Sequence, residues 1–500
     1  MSAKNLIINK VRRGSYLDSV ALLQLSRKIT EINGVAEAAV MMGTPANKEI
    51  LDNAGLLHKD DIICSGDDII IALRTISEKY TSKALEETER LLEQRYEKTE
   101  KEGHVAPSSI RKAVNDHPEL NIALISVPGM FAAAEARKAL RRGLNVMLFS
   151  DNVPISQEVE LKKEAKESGL LMMGPDCGTA ILNGVPIAFA NKLLRGNIGV
   201  IGASGTGVQE VTSLLSRNNY GVSQVIGVGG RDLEAVVGGI TTLMAIDALA
   251  ADPQTKKIIL ISKPPSLEVT NKILERIKDV GKPFTICFLG IDNLQLPKNA
   301  IFVPSLKRAA ESVMKEKINQ EGFNLIKFAG NSLGAKSGIC GLFSGGSLCL
   351  EAQVVFREAG LAITSNAPAP KVNVCERGEI LDVFLDLGAD EFTIGKPHPM
   401  IDPSVRDEAV FKAVSDPKIG VIIIDIVLGY GAHPDPAGHL SKALGNKIRE
   451  SETVVISSIT GTHEDPQGFL SQKQKLQDLG ILIAPSNFDA AELAIKCLSN

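Results

Sequence analysis

Apolar runs and amphipathic stretches alternate along most of this chain, and each run closes on a turn rich in Gly, Pro or Ser. That alternation predicts strand–helix units around parallel sheets, an α/β fold. In the opening part the runs place strands at Leu6–Val11, Ala36–Met42 and Asp68–Leu73, with an amphipathic helix over Asp18–Ile32. Glu78–Glu102 (EKYTSKALEETERLLEQRYEKTEKE) is so charged that a solvated connector helix is expected, and the first domain boundary falls there. Next, NIALISVPG, LNVMLFS and LLMMGPDCG read as strands separated by helices over Ala132–Arg142 and Gln157–Ser168. This βαβαβ half of a doubly wound sheet should bind ligands at its carboxyl ends, which carry Val127-Pro128-Gly129 and Gly174-Pro175-Asp176.

From Gly196 the chain repeats itself. GNIGVIGASGTGVQEVTSLL is echoed by SGICGLFSGGSLCLEAQVVF, and IDALAADPQTKKIILISKPP by VFKAVSDPKIGVIIIDIVLG. Each copy has a strand, a Gly/Ser turn, a helix, then helix–Asp-Pro–strand, which predicts two homologous α/β domains. The expected division is 1–102, 103–195, 196–320 and 337–500, with the last boundary in Asn319–Ser337.

Composition narrows the partners. The 500 residues carry a net charge of −4, a pI of about 6.1, 4% aromatics and no Trp. Such a chain has no general basic field for nucleic acid or anionic membrane, and no stacking surface for bases. The seven cysteines never fall in a CxxC spacing, so neither a disulfide framework nor a zinc site is expected. The first residues lack a signal-peptide apolar core, and runs such as Val421 to Val427 are too short to span a bilayer. A cytoplasmic location is expected.

Candidate chemistry gathers at strand ends. Ser204, Gly205 and Thr206 follow the strand IGVI and open a helix; Ser344, Gly345, Gly346 and Ser347 do the same in the second copy. Helix starts offer unpaired N–H groups and partial positive charge, so both turns suit phosphate or carboxylate, although a Ser N-cap explains either turn alone. His433/Asp435 and His463/Asp465 share one frame, His-x-Asp-Pro-x-Gly, after consecutive predicted strands. With His398, His439, Lys396 and Arg406 they are expected to converge at the carboxyl edge of one sheet. Three readings of that frame stay open: Asx-turn chemistry, a metal site matching no specific spacing, and an anion site with a histidine acid or base. The first copy has no histidine from Gly196 to Glu316, so acid–base chemistry is assigned to the last domain and anion holding to the middle one.

VPGMFAAAEARKALRRGLNVMLFSDNVP with MMGPDCGTAILNG, followed by GVIGASGTG and VIGVGG, resembles the succinyl-CoA synthetase α-chain and its NDP-forming acyl-CoA synthetase relatives over roughly residues 105–290. RRGSYLDSV, VMMGTPANKEIL, and DEFTIGKPHPMIDPSVRDE with GYGAHPDPAGH resemble the FdrA family over essentially the whole chain. The resemblance implies a CoA-binding-type Rossmann domain, with Val127, Pro128, Gly129, Met130, Gly174 and Pro175 nearest any CoA, and two tandem flavodoxin-like ligase-type domains. In the synthetases the Ser-Gly-Thr helix start, here Ser204–Thr206, faces a phosphohistidine held in a Gly-His-Ala-Gly-Ala loop. This chain has no such loop, reads Ser262-Lys263-Pro264-Pro265-Ser266 where they carry Gly-Glu-Ile-Gly-Gly, and has no nucleotide-grasp module.

FdrA-type proteins also look like one subunit of oxamate carbamoyltransferase, which interconverts oxalurate plus phosphate with carbamoyl phosphate plus oxamate in allantoin breakdown. That reading implies small anionic substrates, partner subunits and no required cofactor. The alternatives are an NDP-forming acyl-CoA ligase subunit with a separate grasp chain, and a non-catalytic subunit that binds acyl-CoA.

Overall fold

The computed structural model describes residues 6–15, 17, 19–30, 32–57, 63–66, 68–101, 107, 109–314, 317–318, 337–376, 378–393 and 397–499. They fall into two compact units: residues up to 120 with 126–131 and Pro397, and the remainder.

In the first unit β1 (Leu6–Arg12), α1 (Ser19–Thr30), β2 (Val35–Met42), α2 (Pro45–Asn53), β3 (Ile69–Thr75) and α3 (Glu78–Lys101) build an antiparallel sheet of order β1-β3-β2. Central β3 is buried on both faces: Ile69, Ile71 and Leu73 lie with Leu22, Leu25 and Ile29, while Ile70 and Ala72 lie with Leu51 and Leu56. The charged stretch from Glu78 does form a helix, but it is more than a connector. Ala84, Thr88 and Leu92 recur every fourth residue and are fully buried, so one stripe of α3 closes the sheet's core. Glu102 lies outside the described residues.

The chain continues with α4 (Ile110–Asp116), β4 (Ile122–Ile125), α5 (Gly129–Leu140), β5 (Asn145–Leu148), α6 (Ile155–Glu167) and β6 (Met172–Met173). Strands β4, β5 and β6 pair in parallel, as the βαβαβ reading predicts. The hairpin β7 (Thr179–Leu182) and β8 (Val185–Ala188), placed by the sequence with residues 103–195, instead pairs β7 antiparallel to the next domain's second strand, Val222–Gly227. Its apolar residues Ala180 and Ile181 are buried there, which is why it joins that sheet.

That domain runs β9 (Arg195–Gly202), α7 (Gly205–Arg217), β10 (Val222–Gly227), α8 (Ile240–Ala251), β11 (Lys257–Ser262), α9 (Leu267–Lys278), β12 (Phe284–Phe288), β13 (Ala300–Phe302) and α10 (Leu306–Met314). The last domain follows with β14 (Gly338–Phe343), α11 (Gly346–Glu358), β15 (Thr364–Ser365), β16 (Asn373–Val374), β17 (Val383–Asp386), α12 (Asp390–Thr393), α13 (Ser404–Ser415), β18 (Ile419–Val427), α14 (Pro436–Glu450), β19 (Val454–Thr460), α15 (Phe469–Gln477), β20 (Leu482–Ala484) and α16 (Asn487–Leu498). The two sheets have matching order: β13-β12-β11-β9-β10 in one, β20-β19-β18-β14-β17 in the other. This is the doubly wound flavodoxin-like order, and it bears out the duplication read from sequence. Residues 319–336 of the expected boundary lie outside the described residues.

The copies grip each other through an exchange of helix caps. Glu210 on α7 and Glu351 on α11 each lie six residues past their N-cap. Glu210 accepts from the Asn487 amide (3.0 Å) at the start of α16 in the other copy, and Glu351 accepts from the Leu306 amide (2.7 Å) at the start of α10. Each carboxylate thus satisfies an orphan N–H of the other domain's last helix. A buried Lys307–Asp489 pair (2.5 Å) reinforces the seam.

Candidate functional site

The two homologous helix starts meet. Ser204 caps α7, its extended backbone letting Oγ accept from Gly207 N at 3.1 Å, and the same Oγ shares a hydrogen bond with Ser347 Oγ in the first turn of α11. This approach needs glycine: a Cβ on Gly345 would lie 2.9 Å from Thr206 Cβ, and one on Gly207 3.3 Å from Ser347 Cβ. Gly205, Thr206, Gly346 and Ser347 hold the first two N–H positions of their helices, and no described group accepts from them. Gly345→Ala is expected to cost about 1–3 kcal/mol by forcing the helix starts apart. A urea midpoint unchanged from wild type would refute that contact.

The second turn differs from its expected role. Ser344 N (2.7 Å) and Gly345 N (2.8 Å) both donate to the carboxylate of Asp425, so these two amides are already filled. Asp425 stands in the fully buried strand β18 and must be paired. Arg406 does this: its guanidinium meets Asp425 Oδ1 at 3.2 Å and the Asp425 carbonyl at 2.6 Å. Arg406 is 3% exposed and reaches Ser344 Oγ at 3.3 Å, so it braces the turn from inside instead of meeting a ligand. Burial raises the Asp425 carboxyl and lowers the Arg406 guanidinium, each opposed by the other's charge.

Two groups given no role in the sequence analysis stand beside the free amides. A side chain at Gly346 would begin 3.5 Å from Lys263 Nζ and 2.5 Å from Asp386 Oδ2. Lys263 is exposed in the turn after β11, and buried Asp386 ends β17. Burial raises the Asp386 carboxyl, and Lys263 opposes that rise. Asp176, at φ +55°, lies exposed in the turn after β6. Desolvation and the neighbouring Asp151 push it up to about 6, against the pull of Lys263. Lys263 lies in the turn that the resemblance aligns with the synthetases' Gly-Glu-Ile-Gly-Gly; Asp386 belongs to no motif, and only its position at a strand end marks it.

The histidines gather only in part: the His433 ring meets His439, and the His433 backbone N–H donates to the Met400 carbonyl (2.8 Å) in the loop of His398. His398 Nδ1 accepts from Met400 N at 3.2 Å, so the neutral ring carries its proton on Nε2, which abuts Gly388; burial pushes its pKa down to about 4. β18 and β19 are neighbours paired through Val427 and Thr460, so the loops of His433 and His463 leave adjacent strand ends. Their environments differ. His433 is buried, accepts at Nδ1 from Asp435 N (2.9 Å) and meets the His439 ring edge-to-face at 5.8 Å. His439 Nε2 contacts Asp407 at 2.9 Å. His463 is exposed against the Phe469 ring at 5.1 Å.

The aspartates of the shared frame are structural. Asp435 caps α14 through Gly438 N (3.0 Å) and pairs with Lys475 (2.7 Å). Asp465 accepts from Asn191 Nδ2 (2.7 Å), Lys192 N (2.8 Å) and Thr462 N (2.7 Å), pinning the loop to the segment after β8. Their acceptors are taken, so the catalytic roles expected of Asp435 and Asp465 give way to turn chemistry. Lys396 lies outside the described residues. Val127, Pro128, Gly129 and Met130 belong to the first compact unit, Gly174 and Pro175 to the second. Among the described residues, no group of three His, Cys, Asp or Glu could hold a metal ion.

Three family models match: the AllF heavy metal-associated domain at residues 5–107, the CoA binding domain at 195–290 and the CoA-ligase at 342–497. The uncharacterized protein YahF of Escherichia coli (strain K12) is 40% identical over 501 residues, covering 97% of both chains. The chain belongs to the same acyl-CoA-synthetase-like family. Members of that wider group include the ADP-forming sulfoacetate-CoA ligase subunit SauD of Bilophila wadsworthia, 26% identical over 31% of this chain and 54% of its own. The mitochondrial succinate–CoA ligase [ADP-forming] subunit alpha-2 of Trichomonas vaginalis is 33% identical over 30% of this chain and 50% of its own. Among the described residues no helix is long and apolar enough to cross a membrane.

Proposed function

We propose that this chain is the anion-handling subunit of a cytoplasmic carbamoyltransferase, converting oxalurate plus phosphate to carbamoyl phosphate plus oxamate with partner subunits and without a required cofactor. The observation that carries this reading is Lys263 Nζ beside Gly346, where two helix starts present four free amides. The resemblance places a glutamate of the synthetases at that turn, matched to a phosphohistidine. A cation there suits a free anion instead. In the reaction a phosphate oxygen attacks the carbamoyl carbon, the carbon–nitrogen bond to oxamate breaks, and the departing nitrogen takes a proton. The amides and Lys263 would hold the phosphate. Asp176, pushed up to about 6 by desolvation and Asp151 against the pull of Lys263, would supply that proton.

Similarity to the ligase subunits favours a second reading, an acyl-CoA ligase subunit served by a separate nucleotide-binding chain. Incubating the complex with oxalurate and phosphate should give carbamoyl phosphate without CoA or ATP. Acid-labile label from γ-phosphate-labelled ATP, together with CoA-dependent turnover and no phosphorolysis, would overturn the transferase reading.

A further inference from the structure

We infer that Asp386 sets the specificity of this site, selecting an anion that also carries amide N–H donors over a plain anion of the same size. The inference rests on reading the paired helix starts as an anion site. Gly205, Thr206, Gly346, Ser347 and Lys263 supply donors only, which any small anion satisfies. Asp386 breaks that pattern. It is 5% exposed; Oδ1 accepts from Gly388 N at 3.0 Å, while Oδ2 faces Gly346 and receives no hydrogen bond from any described residue.

A carboxylate oxygen with no protein donor is open to a donor on the ligand, and a second anionic oxygen beside it is repelled. Lys263 is one positive charge set against both Asp386 and the incoming ligand. A molecule with a carboxylate or phosphate on one side and a carboxamide on the other meets both demands. Its oxygens take the helix amides and Lys263, and its –NH2 donates to Asp386 Oδ2. Sites that pair a ligand N–H reject the isostere lacking it far more strongly than shape alone does.

Oxamate and oxalate have the same size but set an –NH2 against an O−, so oxalate brings a second negative charge where oxamate brings a donor; they are the probes. Calorimetric titration of the full chain at pH 8 should show oxamate binding at least about tenfold tighter. Asp386→Asn keeps an acceptor for Gly388 N and turns a donor toward the ligand, so oxalate should gain and the preference should narrow or reverse. Lys263→Met should weaken both probes, the dianion oxalate the more. Wild-type affinities within about threefold of each other, or equal losses for both probes in Asp386→Asn, would overturn the inference while leaving the anion site intact. If neither probe nor inorganic phosphate binds the wild type, the anion site itself falls, and the inference with it.

Discussion

Arg406→Met is expected to destabilise the chain by about 3–5 kcal/mol, the scale on which a buried ion pair fails when one partner is removed. Asp425 is fully buried within β18, and its carboxylate would then face only the Ser344 and Gly345 amides. Arg406 also donates to the Asp425 carbonyl, and that bond is lost with it. The damage should depend on pH. Without the guanidinium, the folded-state carboxyl is raised above its unfolded value, so the folded state binds more protons. Stability must then fall as pH rises above the unfolded value of roughly 4. Urea unfolding at pH 5 and pH 8 tests this: a loss under about 1 kcal/mol, or a loss equal at both pH values, would show that Asp425 does not need Arg406.

Glu351 should make wild-type stability decline from mildly acidic toward basic pH. Burial, with the neighbouring Glu210 charge, pushes its carboxyl up to about 8, although Asn487 and the amides at the start of α10 stabilise its ionised form. The unfolded carboxyl titrates near 4.5. Between those values the folded chain holds the extra proton, so the contribution is fully present below about 4.5 and is lost as pH climbs through 8. Glu351→Gln keeps an acceptor for Leu306 N and cannot ionise, so its stability should hold level across that window and exceed wild type at pH 8. Parallel slopes for the two proteins would place the titrating group elsewhere.

Much of the fold is legible in local pattern. The strands at β1, β2 and β3 and the repeated strand–turn–helix units follow from apolar periodicity, which short-range sterics and burial enforce. The hairpin β7–β8 was misplaced because its partner, β10, is chosen by sheet closure some forty residues away. The site was read in part for the same reason. Ser204 and Ser347 lie in recognisable turns, but Lys263 just past β11 and Asp386 at the end of β17 come together only through the sheet order. Asp425 hides as one carboxylate in an apolar run, and nothing local says that it fills the amides of Ser344 and Gly345. The twin His-x-Asp-Pro frames identified neighbouring strand ends, because strand order governs where loops leave. What the frames do was obscured because aspartate before proline is equally good turn chemistry.

The exchanged caps bear on whether the halves can be parted. Each final helix has a serine of its own domain at its start, Ser486 for α16 and Ser305 for α10, but one further N–H of each is met only by Glu210 or Glu351 of the other domain. Each copy alone would also carry a glutamate stripped of the amide it was placed to receive. A chain cut between residues 318 and 337 should therefore yield two fragments that fold poorly apart yet complement each other when mixed. The duplication has become irreversible: either half transplanted into another protein would arrive without a part of itself.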